Sequence, residues 1–270
     1  MDCRHHRILY SNTLDLDISK WSIIDYEFSG CHSIASDGDV YVVDNTGVHE
    51  IVVLDSNLKF KQKFTNLKWR PHKTIYDDIS QAFYTVGAPH ITCLKKDDVG
   101  NLYIQHHKSP SFLADTYVRS INIIDGSMYF VSGKSKIVKA NYLDESYAVI
   151  NEYPLPNELA SMNDIFKVGD YFYLTAYKQP TTSKSMMVRT TNLSTLNDGY
   201  DDIYTKFGFV GTPYYMSVFD NIFYVTEVDE INRIHKIKES DMVNLNTSEI
   251  IYDYGVTPTS STIRENMRPL

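Results

Sequence analysis

Two histidines and two arginines stand out by type and spacing. His32 sits at the head of "CHSIAS" and His72 at the head of "PHKTIY"; Arg70 lies two residues before His72, and Arg119 falls in "VRSINII". An imidazole titrates near neutral pH and can accept or donate a proton. A guanidinium grips a carboxylate or phosphate through paired N–H donors. These types together describe acid–base chemistry on an anionic ligand, with His32 and His72 as the catalytic pair and Arg70 and Arg119 as the clamp. Asn163, Tyr214 and Glu227 would orient the ligand. Two imidazoles and a carboxylate are also a ligand set for a divalent metal ion, so His32, His72 and Glu227 form a candidate metal site.

What could bring residues so far apart in sequence to one place is an internal repeat. The strand-like stretches "DVYVVD", "AFYTVG", "MYFVSG", "YFYLTA" and "IFYVTE" hold a tyrosine in register: Tyr41, Tyr84, Tyr129, Tyr173 and Tyr224, spaced 43, 45, 44 and 51 residues apart. Each follows a turn, "SDGD", "DDISQ", "IDGS", "KVGD" or "FDNI". Most of these turns carry the Asp, Asn and Gly that tolerate positive φ. Upstream of every turn lies one more short strand, and most units add two downstream, such as "VHEIVVL" and "LKFKQKF". Four short antiparallel strands at a period of about 45 residues predict a β-propeller blade. A β-sandwich also has short strands but gives no reason for a tyrosine in register five times.

The expectation is therefore an all-β chain, a single β-propeller domain over 1–270 with five four-stranded blades. Six blades is the alternative, because the ends are ambiguous. "WSIIDYEF" (21–28) suits an outer strand that closes the last blade, "EIIYDYG" (249–255) suits the same role, and "RILYSN" (7–12) has no place. The segment "KDDVGNLYIQHH" reads as the outer hairpin of the second blade.

Propeller geometry brings inner-strand starts and second-strand ends to one mouth of a central channel. The starts carry His32, Arg70, His72, Arg119, Asn163 and Tyr214; the ends carry Asp44, Ala88–His90, Ser132–Lys134, Thr175 and Glu227. Convergent polar groups in a concave place make the default site. Each has a plainer reading beside it: a strand histidine as a hydrogen-bonded structural residue, arginines as solvated rim charges, Asn163 as a strand-edge residue, Glu227 as the start of the charged loop "EVDEIN". The five tyrosines read as packing between blades. His106 and His107 are neighbours on a strand, point to opposite faces and make a poor chelate.

Stretches such as "HSIASDGDVYVVDNTGVHEIVVLDSNLKF" and "RPHKTIYDDISQAFYTV" resemble the NHL, streptogramin-lyase and gluconolactonase (regucalcin-like) propellers. The resemblance lies in the strand–Asp-Gly–strand pattern and covers most of the chain. It implies a lyase or a lactonase-like hydrolase, or a non-catalytic module that binds protein or carbohydrate on the same face. The acidic and Asn metal ring of regucalcin-like proteins does not carry over, since most matching positions hold His, Arg or Tyr. The Gly-Pro-Asp-Gly repeats of streptogramin lyase are not reproduced.

Bulk properties agree with this class. The chain is 43% hydrophobic and 22% charged, with 21 Tyr and 12 Phe against two Trp, and a net charge of −8. That charge argues against a nucleic-acid partner, whose phosphates are bound by Lys and Arg. No stretch approaches a membrane span of about 20 apolar residues. Three cysteines, Cys3, Cys31 and Cys93, give no disulfide framework, and "MDCRHHRILYSN" has no signal-peptide core. The expectation is a cytoplasmic protein, or a secreted one whose leader lies outside this sequence. Its partner would be a small anionic or sugar-like molecule.

Overall fold

A computed structural model describes residues 1–253 apart from 88, 115, 133–134 and 178–183. The elements begin with two short strands, β1 (Leu9–Tyr10) and β2 (Ser22–Ile23), which pair with each other. Five four-stranded antiparallel sheets follow in series, the blade repeat of a five-bladed β-propeller. Sheet one is β3 (Ile34–Ser36), β4 (Val40–Asn45), β5 (Glu50–Asp55) and β6 (Phe60–Phe64). Sheet two is β7 (Lys73–Asp77), β8 (Ala82–Gly87), β9 (His90–Lys96) and β10 (Leu102–Lys108). Sheet three is β11 (Val118–Ile124), β12 (Ser127–Ser132), β13 (Lys136–Ala140) and β14 (Val149–Pro154). Sheet four is β15 (Met162–Val168), β16 (Tyr171–Ala176), β17 (Met186–Thr190) and β18 (Asp201–Asp202). Sheet five is β19 (Thr212–Phe219), β20 (Ile222–Val228), β21 (Arg233–Lys238) and β22 (Glu249–Asp253), with the one-turn helix α1 (Glu239–Asn244) before its last strand.

The turn residues explain why the first hairpin of each sheet closes where it does. Asp125-Gly126 and Asp220-Asn221 have φ of 48° and 70°, and 51° and 58°, positive at both central positions as a type I′ turn requires. Between Val168 and Tyr171 only Gly169 is positive, at 55°, as in a type II′ turn. The five in-register tyrosines all lie on the second strands, as the repeat predicts. Tyr84, Tyr129 and Tyr173 are buried, and Tyr173 donates to the Met242 carbonyl at 2.9 Å. "KDDVGNLYIQHH" belongs to the β9–β10 hairpin of sheet two, as expected.

The ends resolve the blade count. All four strands of sheet five come from 212–253, so "EIIYDYG" supplies its outer strand through β22. "WSIIDYEF" does not close that sheet; its β2 pairs instead with "RILYSN" through β1. The outer edge of β21 was already taken by the nearer segment, reached through one short helix.

The described residues fall into two compact units: Met1–Ile121 with Leu143–Glu145, and Asn122–Tyr142 with the chain from Ser146. In the first, Val42, Val53, Phe83 and Leu94 form a core that includes Trp69. In the second, Ile165, Leu174 and Val188 pack with Tyr129, while Met216, Phe223 and Val225 pack with Tyr173. Among the described residues no helix is long and apolar enough to cross a membrane.

One close approach fixes the entry to β7. A Cβ on Gly87 would lie 1.9 Å from the Arg70 carbonyl oxygen and 2.7 Å from the Trp69 ring. Just beyond, the His72 N–H donates to Val86 O at 2.8 Å. Only glycine lets β8 end against this segment. Gly87→Ala is expected to cost about 3 kcal/mol, as overpacking against backbone does. Guanidinium denaturation checks this, and a midpoint equal to that of the parent protein would contradict it.

Candidate functional site

Four of the sequence candidates belong to the first unit, and three of these touch one another. Asp44, fully buried on β4, accepts the His32 N–H at 2.6 Å and the Ser33 hydroxyl. Ser33 Oγ accepts in turn from the Thr74 N–H at 2.6 Å, and Thr46 Oγ1 donates to Pro71 O at 2.6 Å. These bonds tie the start of β7 to the start of sheet one. They set the His32 ring over the His72 ring, with centroids 4.3 Å apart and planes 11° from parallel. His72 is buried, and its Nδ1–H donates to the Arg119 carbonyl at 3.0 Å. Tyr117 meets the His72 ring edge-on at 5.3 Å, and the Arg119 guanidinium lies 5.3 Å from the same tyrosine ring. Arg70 is exposed, and its charge reaches His32. Buried Lys73 bonds Ser120 Oγ at 3.0 Å beside this cluster.

The electrostatics favour neutral imidazoles. Burial, then Arg70 and Arg119, pull the His32 pKa down to about 4. Burial, then His32 and Arg119, hold His72 well below the usual range. At pH 7 both rings are neutral, so the pair stands ready to accept a proton. It can donate one only after taking it up. Burial also pushes the Asp44 carboxyl well above the usual carboxylate range, against the pull of its hydrogen bonds from Ser33 and His32.

In the second unit the polar candidates are committed to internal bonds. Asn163 is fully buried and donates from Nδ2 to Pro213 O at 3.1 Å. Tyr214 is half-buried, rests against Tyr215 at 4.6 Å, and its carbonyl accepts from Thr175 Oγ1 at 2.8 Å. Glu227 is buried with a full set of donors. Its Oε2 accepts from Arg233 Nε at 2.7 Å and His235 Nε2 at 2.8 Å; its Oε1 accepts from the amides of Val210 and Gly211 at 2.6 and 2.5 Å. Burial pushes this carboxyl up, but the four donors outweigh it and bring the pKa to about 2. Arg233 and His235 escaped the sequence reading. Their signal was present: they flank the "VDEIN" turn opposite Glu227, at alternate positions of one strand face. Tyr117 was also missed, an aromatic two residues before Arg119 and just ahead of β11.

The proposed metal set does not fit. Imidazole lone pairs lie in the ring plane, so two nearly parallel stacked rings do not aim at one point, and the donors on Glu227 leave it no open oxygen. Among the described residues no three His, Cys, Asp or Glu side chains are grouped to hold a metal ion. His106 is buried and His107 exposed, on opposite faces as their adjacency predicts. His107 stacks instead on His90 at 4.5 Å, and the two Nδ1 atoms pair with Thr92 and Ser109 hydroxyls. Clefts of about 350 and 450 Å³ have other linings, one Asn122, Asp125, Phe166 and Lys167, the other Tyr26, Glu50 and Lys63. Ala88 and Lys134 lie outside the described residues.

No family model matches the chain, and no curated protein matches it. Solved structures do share its fold. A proposed 6-phosphogluconolactonase of Bacteroides uniformis is 13% identical with a TM-score of 0.60, over 90% of this chain and 76% of that one. One of Bacteroides fragilis is 10% identical with a TM-score of 0.59, over 88% and 74%. A streptogramin B lyase is 18% identical with a TM-score of 0.53, over 87% and 72%. At these identities the likeness establishes the β-propeller fold.

The neutral histidines carry a consequence for stability. An unfolded histidine titrates near 6.5. With a folded pKa of about 4 for His32, the unfolded chain binds more protons between these values, and its share of stability falls as pH drops through that window. His32→Phe keeps a stacked ring without the titration. From pH 7 to 4 the parent protein is expected to lose stability relative to the variant in denaturation curves, and a difference that stays constant with pH would overturn the assignment. In the second unit Glu227→Ala leaves Arg233 buried without its carboxylate and is expected to cost about 3–5 kcal/mol by the same measurement.

Proposed function

We propose that the His32–His72 pair, with Arg70 and Arg119, forms a site for a small anionic or sugar-like ligand and that its chemistry is hydrolysis or elimination assisted by a neutral imidazole. The observation that carries this is the stacked pair of imidazoles within reach of two arginine charges, built from the starts of three successive sheets. These imidazoles are held neutral by burial first and then by the arginines. They are a sound arrangement for accepting a proton next to a bound negative charge.

Two of the similar structures are named as proposed 6-phosphogluconolactonases and one as a streptogramin B lyase. A phosphorylated sugar lactone would present a dianion to the guanidiniums and an ester carbon near the imidazoles. In such a reaction an imidazole takes a proton from water as the water oxygen bonds to the carbonyl carbon. The ring C–O bond then breaks, and the leaving alkoxide receives that proton. The bound anion raises the basicity of His32 and His72, which brings them toward the pH where a general base works best.

The test is calorimetric titration with 6-phosphogluconate and an assay of lactone hydrolysis. Arg70→Ala, at an exposed position, is expected to weaken binding by tenfold or more with circular dichroism unchanged. His72→Ala is expected to abolish turnover. Binding and turnover equal to those of the parent protein in both variants would remove the site from consideration and leave a partner-binding module.

A further inference from the structure

Resting on the anion-site reading above, we infer that the His32–His72 pair takes up one proton with each anion it binds, so that the ligand enters as an anion and a proton together. The geometry sets the number. The two rings lie face to face at 4.3 Å, close enough that a charge on one opposes a charge on the other. The pair therefore takes one proton and not two.

Without an anion, the first proton is opposed as well. Arg70 lies two residues before His72 on the entry to β7, and Arg119 stands on β11, where its carbonyl holds His72 and its guanidinium lies near Tyr117. Lys73 stands beside the cluster with its Nζ bonded to Ser120 Oγ. The Asp44 carboxyl is bonded to the backbone beside His32, and it is spent on the His32 N–H and on the Ser33 hydroxyl. Burial opposes the first proton most and the arginines add to it; an anion among the guanidiniums removes their share, and the pair then gains its proton from solvent. The low pKa of His32, about 4, agrees with this.

Linkage makes the effect measurable: where uptake is complete, affinity rises about tenfold for each pH unit of acidification. Sulfate is the probe, because it keeps its charge from pH 7 to 5, so any proton taken up lands on the protein. Titration calorimetry at pH 6 in two buffers of different protonation enthalpy is expected to give close to one proton per sulfate. Imidazole nitrogen shifts of the intact protein by NMR are expected to move from neutral toward protonated as sulfate is added. The double variant His32→Phe, His72→Phe is expected to bind sulfate with no uptake. Sulfate binding without uptake and without an imidazole shift in the parent protein would overturn this inference and leave the anion site standing, as would undiminished uptake in the double variant. No sulfate binding at any pH would overturn the anion site, and this inference with it.

Discussion

Buried backbone polar groups must be paired, and at the inner strands of this protein the ladders cannot pair them all. The β19–β20 ladder skips from Pro213 to Met216, and the β15–β16 ladder skips from Met162 to Asp164. Such bulges strand amides and carbonyls where water does not reach. Side chains of the preceding sheet take them up. Asp164 accepts the Met216 N–H at 2.9 Å, and Asn163 and Thr175 donate to the carbonyls of Pro213 and Tyr214. The first unit repeats the device: Thr46 donates to Pro71 O, Ser33 accepts the Thr74 N–H, and His72 donates to Arg119 O. Pro71 and Thr74 stand three residues apart, as do Pro213 and Met216. A conserved spacing of backbone need, not of side-chain chemistry, governs these positions.

That constraint sorts the polar residues. Asn163, Asp164 and Glu227 spend their hydrogen-bonding capacity inside the protein. His72 is divided: Nδ1 serves the backbone of β11 while the ring face serves the stack with His32. The same bond that joins two sheets thus fixes the tautomer of a neutral imidazole, leaving Nε2 as its basic nitrogen. Asp44 acts at one remove. It holds the His32 backbone and Ser33, and so sets the height of one ring above the other.

The repeat was readable because its signals are local. Tyr41, Tyr84, Tyr129, Tyr173 and Tyr224 recur at one place in the hairpin, and Asp125-Gly126 or Asp220-Asn221 can satisfy a tight turn with no help from elsewhere. The pairing of His32 with His72 was half readable: the repeat put them in equivalent places, but the stack depends on Asp44, Ser33 and Thr46 positioning the entry strands. The commitments of Asn163 and Glu227 were not readable from type alone. An Asn donating to a carbonyl 50 residues away leaves no mark in its neighbours. The charge set around Glu227 did leave one in the alternation of Arg233 and His235, though it resembles an ordinary solvated hairpin.

The pairing of β1 with β2, and of β22 with β21, bears on how the chain folds. Every sheet is assembled from one contiguous stretch of about 40 residues or fewer, such as 212–253, so all its ladders join near neighbours in sequence. Local contacts carry little loop-closure entropy and form early. The long-range bonds are the buried side-chain caps between sheets, from Thr46 to Pro71 or from His72 to Arg119. On this view the slow events in folding are the dockings that bury those polar groups, and substitutions there act mainly on the rate at which sheets come apart, not on the rate at which each one forms.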